Sequence, residues 1–157
     1  MRTSEAALAL ITRINPQMET AYLTQWNEKW QAYSLIGGHR EEGESFRDCC
    51  IREIAEELAL VSENDFHVAN EPLNGFCQYT AFSQSAKVMT KYRVQLFNTK
   101  LLHQEVYRKI SSDPVNCWLT SAEITRMSTP TGDIVSSPVA TVLALALAAD
   151  FVREGQS

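Results

Sequence analysis

Residues 45 to 58 constrain this chain more than any other stretch, because they read as one helix with two faces of opposite chemistry. Ser45 with Asp48 three positions on is a capping-box pattern, and neither Pro nor Gly interrupts the run to about Leu58. At about 100° per residue, Glu53, Glu56 and Glu57 fall within roughly a 100° arc, while Ile51, Ile54 and Leu58 cluster about 140° away. The apolar face asks for a core. The acidic face gathers three like charges, and i,i+4 like-charge pairs destabilise a helix, so folding alone does not favour them. A divalent cation resolves the conflict, since hard Mg²⁺ or Mn²⁺ prefers carboxylate, carbonyl and water oxygens, and Mg²⁺ commonly completes its octahedron with substrate phosphate. The competing reading of a Glu-rich helix is a solvated acidic face on which Arg52 pairs with Glu56.

The elements around this helix read as strands. Ala6 to Ile14 and Thr20 to Trp26 are separated by a turn at Asn15-Pro16, where Pro cannot continue a ladder. Tyr33 to Ile36 runs into Gly37-Gly38, which reads as a turn able to bring backbone close to a ligand. Lys87 to Leu96 alternates, with Val88, Thr90, Tyr92, Val94 and Leu96 on one face and Lys91, Arg93 and Gln95 on the other, and Leu73 to Phe82 is its pairing partner. Thr120 to Glu123 forms a second capping box, opening a short helix before Met127. Ser137-Pro138 opens a C-terminal helix to about Val152. Strands with one helix inside the series and another at the end make a mixed-sheet α/β or α+β domain.

At 157 residues the chain fits a single domain, 1–157, and a hydrophobic fraction of 45% with 21% charged residues is that of a folded protein. The net charge of −5 offers no dense basic stripe for a nucleic acid polymer, so a polyanionic substrate needs metal to bind. Cys49, Cys50, Cys77 and Cys117 match neither a disulfide framework nor a zinc spacing and read as reduced thiols of a cytoplasmic protein. His39, His67 and His103 show no ligand spacing. Arg13 interrupts the early apolar run, which argues against a signal peptide, and Val139 to Ala149 is about half the roughly 20 residues needed to span a bilayer.

Residues 38 to 60 read GHREEGESFRDCCIREIAEELAL: Gly38, five residues, Glu44, seven residues, then Arg52-Glu53-Ile54-Ala55-Glu56-Glu57-Leu58-Ala59-Leu60. This closely resembles the Nudix box, and only its last Gly, here Ala59, departs from the family pattern. Six fixed matches in one register arise by chance on the order of once in 10⁵ chains of this length, which makes the spacing specific where a lone acidic helix is not.

The resemblance implies an α/β/α sandwich around a mixed sheet, with the box as loop, helix and loop. It implies that Glu53, Glu56 and Glu57 supply metal ligands together with a main-chain carbonyl at Gly37 or Gly38 and that Arg52 and Glu44 brace this set, or that one of these carboxylates, Glu53 foremost, activates water instead of binding metal. The cofactor would be Mg²⁺ or Mn²⁺. The reaction would be attack of water on phosphorus in a nucleoside diphosphate linked to another moiety. Glu105, Asp113 and Glu123 are acids beyond the box, and Trp26, Trp30, Tyr79 and Trp118 are aromatics able to stack on a base, though such residues are more often surface charges and core. Two other roles are compatible with the same fold. One is a Nudix-like module that senses a nucleotide without cleaving it, against which all four box glutamates stand; the other is an interaction domain, a homodimer included, that docks through an apolar C-terminal helix.

Overall fold

The computed structural model describes residues 1–83, 85–130 and 132–133, and the helix expected from Ser137 to about Val152 lies outside them. The chain begins with β1 (Arg2–Ile14) and β2 (Thr20–Asn27), joined at Asn15, whose side-chain oxygen accepts from the Gln17 and Glu19 amides at 3.0 and 2.8 Å. Then come β3 (Ala32–His39), α1 (Phe46–Leu58), β4 (Phe66–Val68), β5 (Leu73–Ser83) and β6 (Val88–Leu101). The series continues with α2 (Gln104–Ser112), β7 (Asn116–Thr120) and α3 (Ser121–Arg126).

Seven strands among the described residues form a mixed sheet in the order β4-β6-β1-β3-β2-β7, with β5 also on β6. Only β1 and β6 run parallel, from Arg2 opposite Thr90 to Ile11 opposite Thr99. The expected β5–β6 pairing is present, with Cys77 opposite Val94 and Tyr79 opposite Tyr92. Strand alternation splits the core in two. Ala7, Ala9, Ile11, Ile36 and Phe97 face Cys49, Cys50, Ile54 and Leu58 of α1 and Val106 and Ile110 of α2. Leu10, Leu35, Val94 and Leu96 point the other way, to Ile124 of α3. The fold is thus the mixed-sheet α+β class expected. Among the described residues no helix is long and apolar enough to cross a membrane.

One expectation is corrected. Gly37-Gly38 is not a turn but the last part of β3, paired with Leu8 and Ala7 of β1. The physical reason is close approach: Gly37 has φ 148, and a Cβ there would collide with the Ala7 carbonyl. The chain reverses later, where the Glu44 amide donates to Glu41 O at 3.1 Å and Gly43 takes φ 81. Elements β4, β7 and α2 were not anticipated. In α2 the buried residues are few, Val106 and Ile110, and His103 at its N-cap makes no side-chain capping bond, so the sequence carries no start signal.

Helix α1 starts as expected, with the Ser45 hydroxyl accepting from the Asp48 amide at 3.0 Å, and it ends at Ala59 in the left-handed conformation, φ 53 and ψ 49. The departure from the family pattern therefore sits where an L side chain is penalised by about 1 kcal/mol or more, while Gly would cost part of that back as unfolded-state entropy. Ala59→Gly should raise stability by about 0.5 kcal/mol, a Tm increase of about 1–2 °C by calorimetry, with activity retained. A lower Tm would show that the Lys109 bond to the Ala59 carbonyl, 2.6 Å, fixes this end and not the backbone conformation.

Candidate active site

The site grows from α1 lying across β3 and β1, which carries one side of the helix to the Gly37-Gly38 backbone. A Cβ on Gly38 would stand 2.5 Å from Glu53 Oε1, so the missing side chain is the space in which the Glu53 carboxylate rests. Arg52 gathers the acidic groups. Its Nε and Nη2 donate to both oxygens of Glu44 at 2.8 and 3.0 Å, its Nη1 donates to Glu53 Oε1 at 3.0 Å, and Nη2 also reaches the His39 carbonyl at 3.2 Å. Glu56 is a weaker partner, 3.5 Å from Nη1 with its side chain 62% exposed against 15% for Glu53.

These contacts set the charges. The Arg52 guanidinium, with the Glu41 main chain, holds the Glu44 carboxyl down at about 2, so it stays ionised at any working pH. Glu57 behaves oppositely. Although the residue is exposed overall, desolvation of its carboxyl, followed by the nearby Glu53 charge, pushes its pKa up to about 8, with the Gly37 main chain pulling it down. Two carboxyls that close, unmatched by a second cation, are a donor pair that a hard divalent ion fits chemically. Among the described residues no three His, Cys, Asp or Glu groups are gathered into a complete metal cage. The Gly38 carbonyl accepts from the Cys49 thiol at 3.4 Å.

The other candidates lie elsewhere. Glu123 closes the α3 capping box through Thr120, and the Asp113 carboxylate caps the turn at Val115, so both are structural; Glu105 sits in the exposed first turn of α2. Trp26 packs edge-on against Tyr33 at 5.2 Å, Tyr79 stacks on Tyr92 at 5.1 Å, and Trp118 stacks on Tyr107 beneath Arg13. Trp30 alone of these is largely exposed. All four cysteines are free, and burial raises Cys49 and Cys50 to about 11 and 12, which removes them as nucleophiles. Sequence reasoning missed Gln25, whose amide donates to the Glu57 carbonyl at 3.3 Å and to Asn116 at 3.1 Å; a contact spanning β2, α1 and β7 leaves no local pattern.

Residues 4–131 match the NUDIX domain family. No curated protein matches the chain in sequence. Among solved structures, a mutT/nudix family protein from Listeria innocua is similar with a TM-score of 0.62 at 13% identity, over 100% of this chain and 99% of that one. The C. elegans Ap4A hydrolase is similar with a TM-score of 0.52 at 13% identity, over 99% of each chain. Shewanella oneidensis NrtR, complexed with a 27mer DNA, reaches 0.60 at 18% identity, over 90% of this chain but 59% of its own. These likenesses show the fold.

A raised carboxyl pKa has a stability consequence. A proton bound more tightly in the folded state favours folding fully below the unfolded value of 4.5, and that contribution is lost as pH rises through about 8. Metal-free protein should therefore lose thermal stability between pH 5 and pH 8.5 in a way that Glu57→Gln abolishes. Equal pH slopes for the two proteins would show that Glu57 does not hold its proton.

Proposed function

We propose a hydrolytic role from the premise that this chain belongs to the NUDIX domain family. It cleaves a diphosphate bond in a nucleoside diphosphate linked to another moiety, by attack of water on phosphorus. The observation that carries this reading is the set of acids on one guanidinium, Arg52 holding Glu44, Glu53 and, more weakly, Glu56 at the end of β3, an acidic cluster that a folding protein without a cation does not favour. Glu53, Glu56 and Glu57, with a main-chain carbonyl at Gly37 or Gly38, are the residues that hold Mg²⁺ or Mn²⁺. When bound, that ion neutralises phosphate oxygens and lowers the pKa of water.

The protein's own share is orientation and proton transfer. Glu44 occupies two donors of Arg52 in a fork-to-fork pair, which leaves Nη1 for a single oxygen of Glu53. A carboxylate fixed at one oxygen and mostly shielded from solvent suits a general base, so Glu53 accepts the proton of the attacking water. Arg52 and Glu44 act on the substrate only through Glu53. A nucleotide-sensing role without cleavage has no equivalent support, because all four box glutamates are present.

The test is a panel of nucleoside triphosphates, nucleotide sugars, ADP-ribose and dinucleoside polyphosphates, with and without Mg²⁺, scored for products. Metal-dependent hydrolysis of at least one is expected. Glu56→Gln should lower turnover by orders of magnitude, leave metal-free stability unchanged or higher, since an exposed i,i+4 pair with Arg52 is worth about 0.5 kcal/mol at most, and shrink the Tm gain on adding Mg²⁺. Tight nucleotide binding without metal and without any product would overturn the enzyme in favour of a sensor.

A further inference from the structure

Glu44 can brace Arg52 only if its own loop is held, and residues 41 to 43 of that loop are exposed. The hold comes from a residue outside the box pattern. Arg40 Nη1 donates to the Glu44 carbonyl at 2.8 Å, Nη2 donates to Glu5 Oε1 at 2.6 Å, and the guanidinium lies over the Phe46 ring at 5.2 Å, so it grips Glu44 on one side and the first residue of α1 on the other. The Arg40 amide also donates to the Glu5 carbonyl at 2.9 Å. Glu5 stands in β1, the central strand, where Arg93 of β6 donates to its other oxygen at 3.0 Å and itself stacks over Phe76 at 4.2 Å. Each oxygen of Glu5 thus has its own guanidinium. A chain of charge-assisted bonds runs from the sheet through Glu5 and Arg40 to the Glu44 main chain, and from the Glu44 carboxylate through Arg52 to Glu53.

We infer that Arg40 and Glu5 are positioning residues for the hydrolytic site, transmitting the register of the β1–β6 pair to Glu53 through Glu44 and Arg52. Main-chain capture explains why Arg serves here: its fork reaches a carbonyl and a carboxylate at once, and a Lys point charge does not. Arg47 is the internal contrast. It also ties α1 to the sheet, donating to the Val68 and Ala69 carbonyls at 2.9 and 3.2 Å, but no bond of its side chain leads to Glu44 or Arg52.

The kinetic arm rests on the hydrolase reading above, so a second arm reads the metal-free protein. In steady state, Arg40→Gln and Glu5→Gln should each lower kcat about ten- to hundredfold with KM within about twofold, the range typical when a supporting hydrogen bond behind a site is removed. The double variant should fall no further than the worse single one, because both break one chain. Arg40→Lys should recover little, and Arg47→Gln should lower Tm without lowering kcat. By NMR, the Arg52 Nε–H signal, protected by Glu44 in metal-free wild type, should exchange faster in Arg40→Gln and stay protected in Arg47→Gln. Unchanged Arg52 exchange in Arg40→Gln overturns the inference whatever the activity. So does an Arg47→Gln loss of kcat equal to that of Arg40→Gln. A wild type that hydrolyses nothing while Arg40→Gln frees Arg52 refutes the hydrolase reading and leaves the positioning role standing.

Discussion

The forked pair between Arg52 and Glu44 is the interaction on which the rest of the site depends. Most ion pairs on a protein surface contribute little, because solvent screens them and two long side chains must be ordered to make them. This one differs in geometry. Both Glu44 oxygens are engaged, the carboxylate is 14% exposed and the guanidinium 24%, and further donors of the same guanidinium reach Glu53 and the His39 carbonyl. One side chain therefore ties the end of β3, the connecting loop and the middle of α1 to one another. Among the described residues, Arg52 is the cation bonded to Glu53.

The pair works because the backbone beneath it is stripped of side chains. Gly37 in β3 lies opposite Leu8 and Gly38 opposite Ala7, and Cβ atoms at these glycines would meet the Ala7 carbonyl and the Glu53 carboxylate respectively. Ala7 and Ala9, both fully buried, keep β1 equally thin where α1 crosses it. Close approach of helix and sheet is what allows a helix carboxylate to lie against a strand's main chain, as Glu53 does at Gly38. Packing and chemistry are thus set by the same small residues.

Much of this was legible in the sequence, and what was not has a physical reason. The cap at Ser45, the acidic and apolar faces of α1, the capping box at Thr120 and the β5–β6 pairing all rest on residues close in sequence or on strand alternation, and each appears as expected. Ala59, read as a departure from the family pattern, does adopt the conformation that favours glycine. The Gly37-Gly38 pair was misjudged because glycine signals freedom from a side chain without saying whether a turn or a neighbouring strand needs it. Arg40, Glu5 and Gln25 were invisible because their partners are 35 or more positions away, or are main-chain carbonyls that carry no sequence signature. That Arg52 would choose Glu44 over Glu56 also depends on the loop's path, which the i,i+4 spacing alone does not determine.

A cluster of acids under one arginine opposes folding, and the structure shows where that opposition is stored. Glu44 is satisfied and held low, so it adds no strain; Glu57 is where the unfavourable interaction falls, desolvation and the nearby Glu53 charge making its carboxyl keep a proton. If the cluster served stability alone, its carboxylates would not be short of cations, as Glu5 is not with two arginines on its one carboxylate. The contrast between the two networks, a few residues apart along β1 and the box loop, separates their purposes. In the Glu5 network each carboxylate oxygen has its own arginine, which suits a positioning role. The Glu53–Glu57 pair is incomplete in itself, and its shortfall is of positive charge, which is the property that a cation and an anionic diphosphate substrate would together use.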